Sequence, residues 1–120
     1  MIDEKEYFID LVSSIPANTD WFIQSPSPKF YEAIKGIPFI REAGVIKILF
    51  KSEYRDQIAG LAKDDLYEHI NFLEVLQDGK KLLEAFDGFV IVSISKDFVI
   101  TATVLPKYLD MDLLYVSDNW

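Results

Sequence analysis

Apolar positions along this chain follow two rhythms, and the switches between them mark out its elements. Phe8, Leu11, Val12 and Ile15 recur at helical spacing. Just ahead of them, Asp3 is placed to accept from the backbone as an N-cap, with Glu6 at the third helical position and Ile2 able to staple onto Tyr7. Pro16 ends that helix, because the residue before a proline avoids helical backbone. Residues 18–24 hold Trp21, Phe22 and Ile23 and read as a short strand. The Ser25-Pro26-Ser27-Pro28 break then opens a second helix, with Ser27 as cap and Pro28 at the first helical position. Gly36 closes it and Pro38 blocks its continuation. Two β-rich runs, 37–41 and 45–50, flank the loop Glu42-Ala43-Gly44 and predict a hairpin, with Pro38 keeping the first run at an edge or at its start.

In the second half, Ser52 can cap a helix over 53–63, with Tyr54, Ile58, Leu61 and Ala62 facing inward. Asp65-x-x-Glu68 resembles an acidic capping box and predicts a longer helix that ends at Asp87-Gly88. Its stripe would be Phe72, Leu76, Leu83 and Phe86, joined by Leu66, Ile70 and Leu73. Gly79 would sit inside it at a cost of about 1 kcal/mol relative to alanine. Residues 89–95 and 98–105 flank Lys96-Asp97 and predict another hairpin, and 113–117 a last strand. The expected fold is a single α+β domain over 1–120. It consists of an antiparallel sheet, with hairpins near 37–50 and 89–105, packed by about four helices. Its core would include Leu11, Ile48, Leu49, Leu76, Leu83, Ile91, Ile100 and Val104.

Composition changes this picture little: half of the 120 residues are hydrophobic, enough for a core without staples. The absence of cysteine excludes disulfides, thiolate metal sites and cysteine nucleophiles, and fits a reducing compartment. The acidic start MIDEKEYFIDLV lacks the basic-then-apolar order of a secretory signal, and no apolar run approaches the roughly 20 residues that span a bilayer. A cytoplasmic protein is expected. Charge matters more. The net value of −8 opposes binding to nucleic acid or anionic membrane and draws basic partners inward. Segments 1–20 and 52–88 carry most of the acidity, whereas 21–51 is net basic.

Candidate chemistry is sparse. The single histidine, His69, lies in Tyr67-Glu68-His69-Ile70 and reads as a helix residue. No serine occupies a nucleophile elbow, and the glycines stand singly instead of forming a phosphate-binding loop. The pairs Asp64-Asp65 and Asp110-x-Asp112 supply too few oxygens to cage a hard cation, so no metal and no cofactor are expected. What remains is a carboxylate and aromatic surface. Asp110, Asp112, Tyr115, Asp118 and Trp120 form one candidate partner-binding cluster near the end of the sequence, and Asp64, Asp65 and Glu68 form a second. Trp120 either anchors a partner or folds back on the core.

Size, acidity, lack of cysteine and the aromatic-plus-carboxylate stretch over 108–120 give the chain a resemblance to the small acidic immunity proteins of bacterial toxin–immunity pairs, such as those of contact-dependent growth inhibition. The resemblance spans the whole chain without a shared motif. It implies a non-catalytic cytoplasmic protein that binds a basic toxin domain, often a nuclease, and blocks its active site. Carboxylates would stand in for substrate phosphates. The alternatives are a regulatory or adaptor domain acting on a host protein, and an enzyme or small-ligand binder with an unfamiliar site.

Overall fold

A computed structural model describes residues 3–25, 27–96, 98, 106–110, 113–117 and 120. The fold is α+β, built on a seven-stranded sheet. The strands are β1 (Thr19–Gln24), β2 (Ile40–Glu42), β3 (Val45–Phe50), β4 (Phe72–Gln77), β5 (Lys80–Phe86), β6 (Ile91–Ser95) and β7 (Leu114–Ser117). Their spatial order is β2-β3-β1-β4-β5-β6-β7. The first six pair antiparallel, whereas β7 lies parallel to β6 and corrects the expectation of a purely antiparallel sheet.

The period of two along each strand gives the sheet one helix-facing side and one open side. Trp21, Ile23, Ile46, Ile48, Phe50, Leu73, Val75, Leu83, Ala85, Val92 and Ile94 are buried on the first. Among the described residues, the helices α1 (Glu4–Ser14), α2 (Pro28–Ala33), α3 (Arg55–Ala59) and α4 (Pro106–Asp110), together with a 3-10 segment over Gly60–His69, accompany the sheet. Phe8, Leu11, Phe30, Ile34, Ile58 and Leu61 complete the core. Asp3 caps α1 as its sequence dictates, its Oδ1 accepting from the Lys5 and Glu6 amides at 3.0 and 3.2 Å. At the other end of α1, Arg55 reaches across to donate to the Val12 and Ile15 carbonyls at 2.7 and 2.8 Å, while its guanidinium lies over the Phe50 ring.

Two expected elements are replaced. The helix expected after residue 65 gives way to the β4–β5 hairpin from residue 72 onward. Asp78 and Gly79 have φ of 51° and 79° and form its tight turn. Aspartate followed by glycine between two apolar runs is the signature of that turn, because both central residues need positive φ. The apparent helical stripe arose because β4 and β5 carry apolar residues on both faces: Phe72 and Leu76 on the open side, Leu73 and Val75 on the core side. Asp65 does not cap a helix either. Asp64 and Asp65 hold φ of 58° and 55°, which breaks the 53–69 stretch into short turns. Of the hairpin expected at 89–105, the first run forms β6, which pairs with β5 and with β7. Lys96 and Phe98 are helical, and the Ser95 hydroxyl accepts from the Phe98 amide at 3.1 Å. Residues 99–105, including Ile100 and Val104, lie outside the described residues, as does Ile2.

The hairpin near 37–50 forms as β2 and β3, with Ala43 and Gly44 turning the chain at positive φ. Leu11, Ile48 and Leu83 are core as expected and Leu76 is half-buried, but Leu49 and Ile91 stand exposed on the open side. Among the described residues, no helix is long and apolar enough to cross a membrane.

Candidate functional site

Where α1, the 60–69 segment and the β5–β6 connection meet, the surface opens into a cleft of about 430 Å³. Its walls are Glu4, Tyr7, Tyr67, Glu68, Asp87, Gly88, Phe89, Val90 and Leu113. The aromatic floor is well fixed. Tyr67 stacks on Phe8 with ring centroids 5.0 Å apart, Phe89 meets Phe8 edge-on at 5.1 Å, and the Tyr7 hydroxyl donates to the Leu113 carbonyl at 3.1 Å.

One wall is built from unusual backbone. Asp87, Gly88 and Phe89 hold φ of 52°, 67° and 72° in succession, a left-handed turn that L-residues resist. It persists because its surroundings hold it: the Asp87 amide donates to Asn71 O at 3.0 Å, Gly88 to Ile70 O at 2.8 Å, and Val90 to Phe86 O at 3.1 Å. The turn sinks Phe89 into the core and leaves Val90 75% exposed on the rim. A left-handed pair, Asp64-Asp65, also occurs within the 60–69 segment.

The cleft is electronegative. Glu4, Glu68 and Asp87 ring it, and none of the three has a cationic partner among the described residues. Asp65, just outside, pairs with Lys5 at 3.8 Å. The Tyr67 hydroxyl registers this field. Burial first, then the charges of Glu4, Asp65 and Glu68, and finally a hydrogen bond to Glu4, push its pKa up to about 12. Burial likewise raises the Tyr7 hydroxyl.

The residues singled out in the sequence fall into three places. Glu68 belongs to this cleft and Asp65 to its margin. Asp64 lines a different, more open recess of about 550 Å³ with Lys29, Glu32, Ala33, Leu66 and His69. Tyr115 and Trp120 lie by the open side of the sheet, 56% and 37% exposed, and Asp110 is exposed at the end of α4. Trp120 meets the domain through Lys81, whose Nζ sits 5.3 Å from its ring centroid. Lys81 also pairs with Glu74 at 3.4 Å and with Glu84. Asp112 and Asp118 lie outside the described residues. Tyr108 is not part of an exposed surface: it is buried against Tyr7, 4.8 Å between centroids, and bonds Asp10. Two cleft carboxylates, Glu4 and Asp87, were not singled out, because their local sequence explains them as a helix start and a turn.

His69 is not a free helix residue. Its Nδ1 lies 2.6 Å from the Ser27 hydroxyl, and its carbonyl accepts from Ser25 at 2.6 Å. Ser27 therefore gives its side chain to His69, and α2 starts without a side-chain cap. These contacts tie Ser25 and Ser27 to the end of the 60–69 segment. Among the described residues, no carboxylate hydrogen-bonds His69 to complete a relay, and no group of three or more acids and histidines could hold a metal ion. Compared with family models, curated proteins and solved structures, the chain matches none of them.

Proposed function

We propose that this chain is a non-catalytic binding protein, an immunity-type inhibitor acting in the cytoplasm on a basic toxin or enzyme domain. The observation that carries the reading is the cleft in which Glu4, Glu68 and Asp87 stand, without cationic partners among the described residues, above an aromatic floor. Uncompensated carboxylates keep a strong field only at a desolvation cost once covered, and a partner's lysines or arginines offset that cost. The net charge of −8 extends the same field and accelerates encounter with a basic surface. Tyr115, Trp120 and Asp110, with Asp112 and Asp118 from the same stretch, remain a second partner-facing candidate, as does Asp64 in its separate recess.

The test is co-expression and kinetics. The chain should suppress the toxicity of the basic domain it copurifies with, and association should slow steeply as salt rises. Charge reversal at Glu68 and Asp87 should lower the association rate at least tenfold, whereas trimming Tyr115 or Trp120 should act on dissociation. Salt-independent binding, or a captured partner whose activity continues unchanged in the complex, would remove the inhibitor reading.

A further inference from the structure

We infer that β2, an edge strand of the sheet, pairs antiparallel with β2 of a second copy of this chain, about a two-fold axis through Ile40. The edge is open. Residues 38–44 are exposed throughout, with Ile40 at 68% and Phe39 at 41%. β2 has β3 on one side and, among the described residues, no strand on the other. The turn beside it decides which backbone groups point outward. Ala43 and Gly44, with φ of 53° and 81°, make a two-residue loop, so Glu42 and Val45 exchange both of their hydrogen bonds, and Ile40 and Lys47 do the same. Arg41 therefore turns its amide and carbonyl away from β3, and the period of the strand, carried back to Phe39, does likewise there. Among the described residues, no turn, loop or cross-element hydrogen bond uses the backbone of either residue.

Symmetry and charge select an identical strand as the occupant. A two-fold axis normal to the sheet keeps the helix-facing sides of both copies together, so a residue meets only residues that share its face. Centred on Ile40, each Phe39 lies opposite the second copy's Arg41, and each such pair exchanges both N–H···O bonds, which closes the outward row. Centred on Arg41, the same strands would set two guanidiniums face to face and leave Phe39 against the turn. The first register also extends chemistry already on the helix-facing side. Arg41 lies over the Tyr31 ring at 4.7 Å, and the Tyr31 and Phe39 ring centroids are 6.0 Å apart. The second copy's Phe39 gives that guanidinium another aromatic face. On the open side, the two Ile40 side chains cover one another at the closer, non-hydrogen-bonded spacing. The usual guards of an edge do not act here. Pro38 is in phase with Ile40 and Glu42, so its missing N–H takes nothing from the outward row. Residues 40–50 carry only Arg41, Glu42 and Lys47 as charges, so the net −8 is not concentrated at this edge.

The test uses the whole 120-residue chain. One strand pair is a small contact, so sedimentation equilibrium over about a hundredfold range of concentration should show monomer passing reversibly into dimer. Ile40→Lys sets two ammonium groups on the axis at an already exposed position and should weaken that association about tenfold. Disulfide trapping reads the register. The chain has no cysteine of its own, and the Cα atoms of a non-hydrogen-bonded pair lie about 4.5 Å apart, within disulfide reach. In a glutathione buffer, Ile40→Cys should give covalent dimer about tenfold faster than Glu42→Cys, Leu49→Cys or Tyr115→Cys, three other exposed positions. Hydrogen exchange at the Arg41 amide should slow as protein concentration rises, while Ile40 and Glu42, already bonded to β3, should not change. A chain that stays monomeric across the range, Ile40→Cys coupling no faster than the other three, or fastest coupling at Leu49→Cys or Tyr115→Cys would each overturn the inference. Protection of the Arg41 amide that appears only when a different protein is added would assign the edge to a foreign strand and overturn it as well. None of these readouts involves a toxin or enzyme domain, so the dimer and the inhibitor reading fail separately.

Discussion

Gly88→Ala is the substitution that most directly probes how the cleft wall is held. A Cβ at this position would lie 2.9 Å from Glu68 Cα and 3.0 Å from Glu68 O, both backbone atoms, on a residue whose φ is +67°. Two costs follow. Placing alanine in left-handed backbone costs about 1–2 kcal/mol. Forcing apart two main-chain segments that share the Gly88–Ile70 hydrogen bond adds about 1–3 kcal/mol, as overpacking usually does. Gly79→Ala provides the control. Its φ is +79°, but nothing lies within 4 Å of the added carbon, so it meets only the conformational cost. Urea unfolding of both variants should therefore place Gly88→Ala about 1–3 kcal/mol below Gly79→Ala, with similar m-values. Because the displaced neighbour is Glu68 itself, Gly88→Ala should also impair partner association, whereas Gly79→Ala should not. If the two glycine variants unfold at the same denaturant concentration, the close approach of residues 68 and 88 is not a constraint, and the account of the wall is wrong.

Other expectations can be checked on the same purified protein. Arg55→Ala removes two charge-assisted hydrogen bonds to the end of α1 and should cost about 2–3 kcal/mol in urea unfolding, while Arg55→Lys should recover only part of that, since an ammonium cannot bond both carbonyls and cover Phe50. A loss below about 0.5 kcal/mol for the alanine variant would contradict this. The Tyr67 hydroxyl, raised to about 12 in the fold from 10, favours the native state fully below pH 10. Stability should fall as pH climbs from 10 to about 12, because the unfolded chain ionises first, and Tyr67→Phe should make that fall shallower without abolishing it, since Tyr7 and Tyr108 are raised too. His69→Ala should lower stability by about 1 kcal/mol through loss of the Ser27 contact, and a thermal melt indistinguishable from the parent would show that the contact carries nothing.

The parts of the fold that sequence reading captured are those set by local chemistry. The Asp3 cap of α1, the strand around Trp21 and the 40–50 hairpin each depend on residues a few positions apart. The 65–86 stretch failed for a physical reason: β4 and β5 carry Phe72, Leu76 and Phe86 on the open side beside Glu74 and Glu84, so alternation is blurred and a stripe at spacing four stands out. Asp78-Gly79 was the counter-signal. The cleft was half legible. Glu68 stood out as an acid in an acidic cluster, but what unites it with Glu4 and Asp87 is tertiary, the left-handed turn at 87–89 folded against the 60–69 segment. The parallel arrival of β7 was equally hidden, because nothing near Leu114 encodes the direction of its neighbour.

The position of β1 has a consequence for how the protein is made. It leaves the ribosome second among the elements, yet it lies inside the sheet, third in the spatial order, with Trp21 set against Ile48 on one side and Val75 on the other. After β3 is synthesised, β1 has only one neighbour, and its second row of amides and carbonyls stays open until β4 follows. A nascent chain paused between residues 50 and 72 therefore presents an unpaired hydrophobic edge, the template on which strands from other molecules add. Stop codons or slow translation within that window should yield aggregates instead of a smaller folded species. The chain is accordingly all-or-nothing in manufacture, and splitting it for complementation would succeed only with both halves present at once.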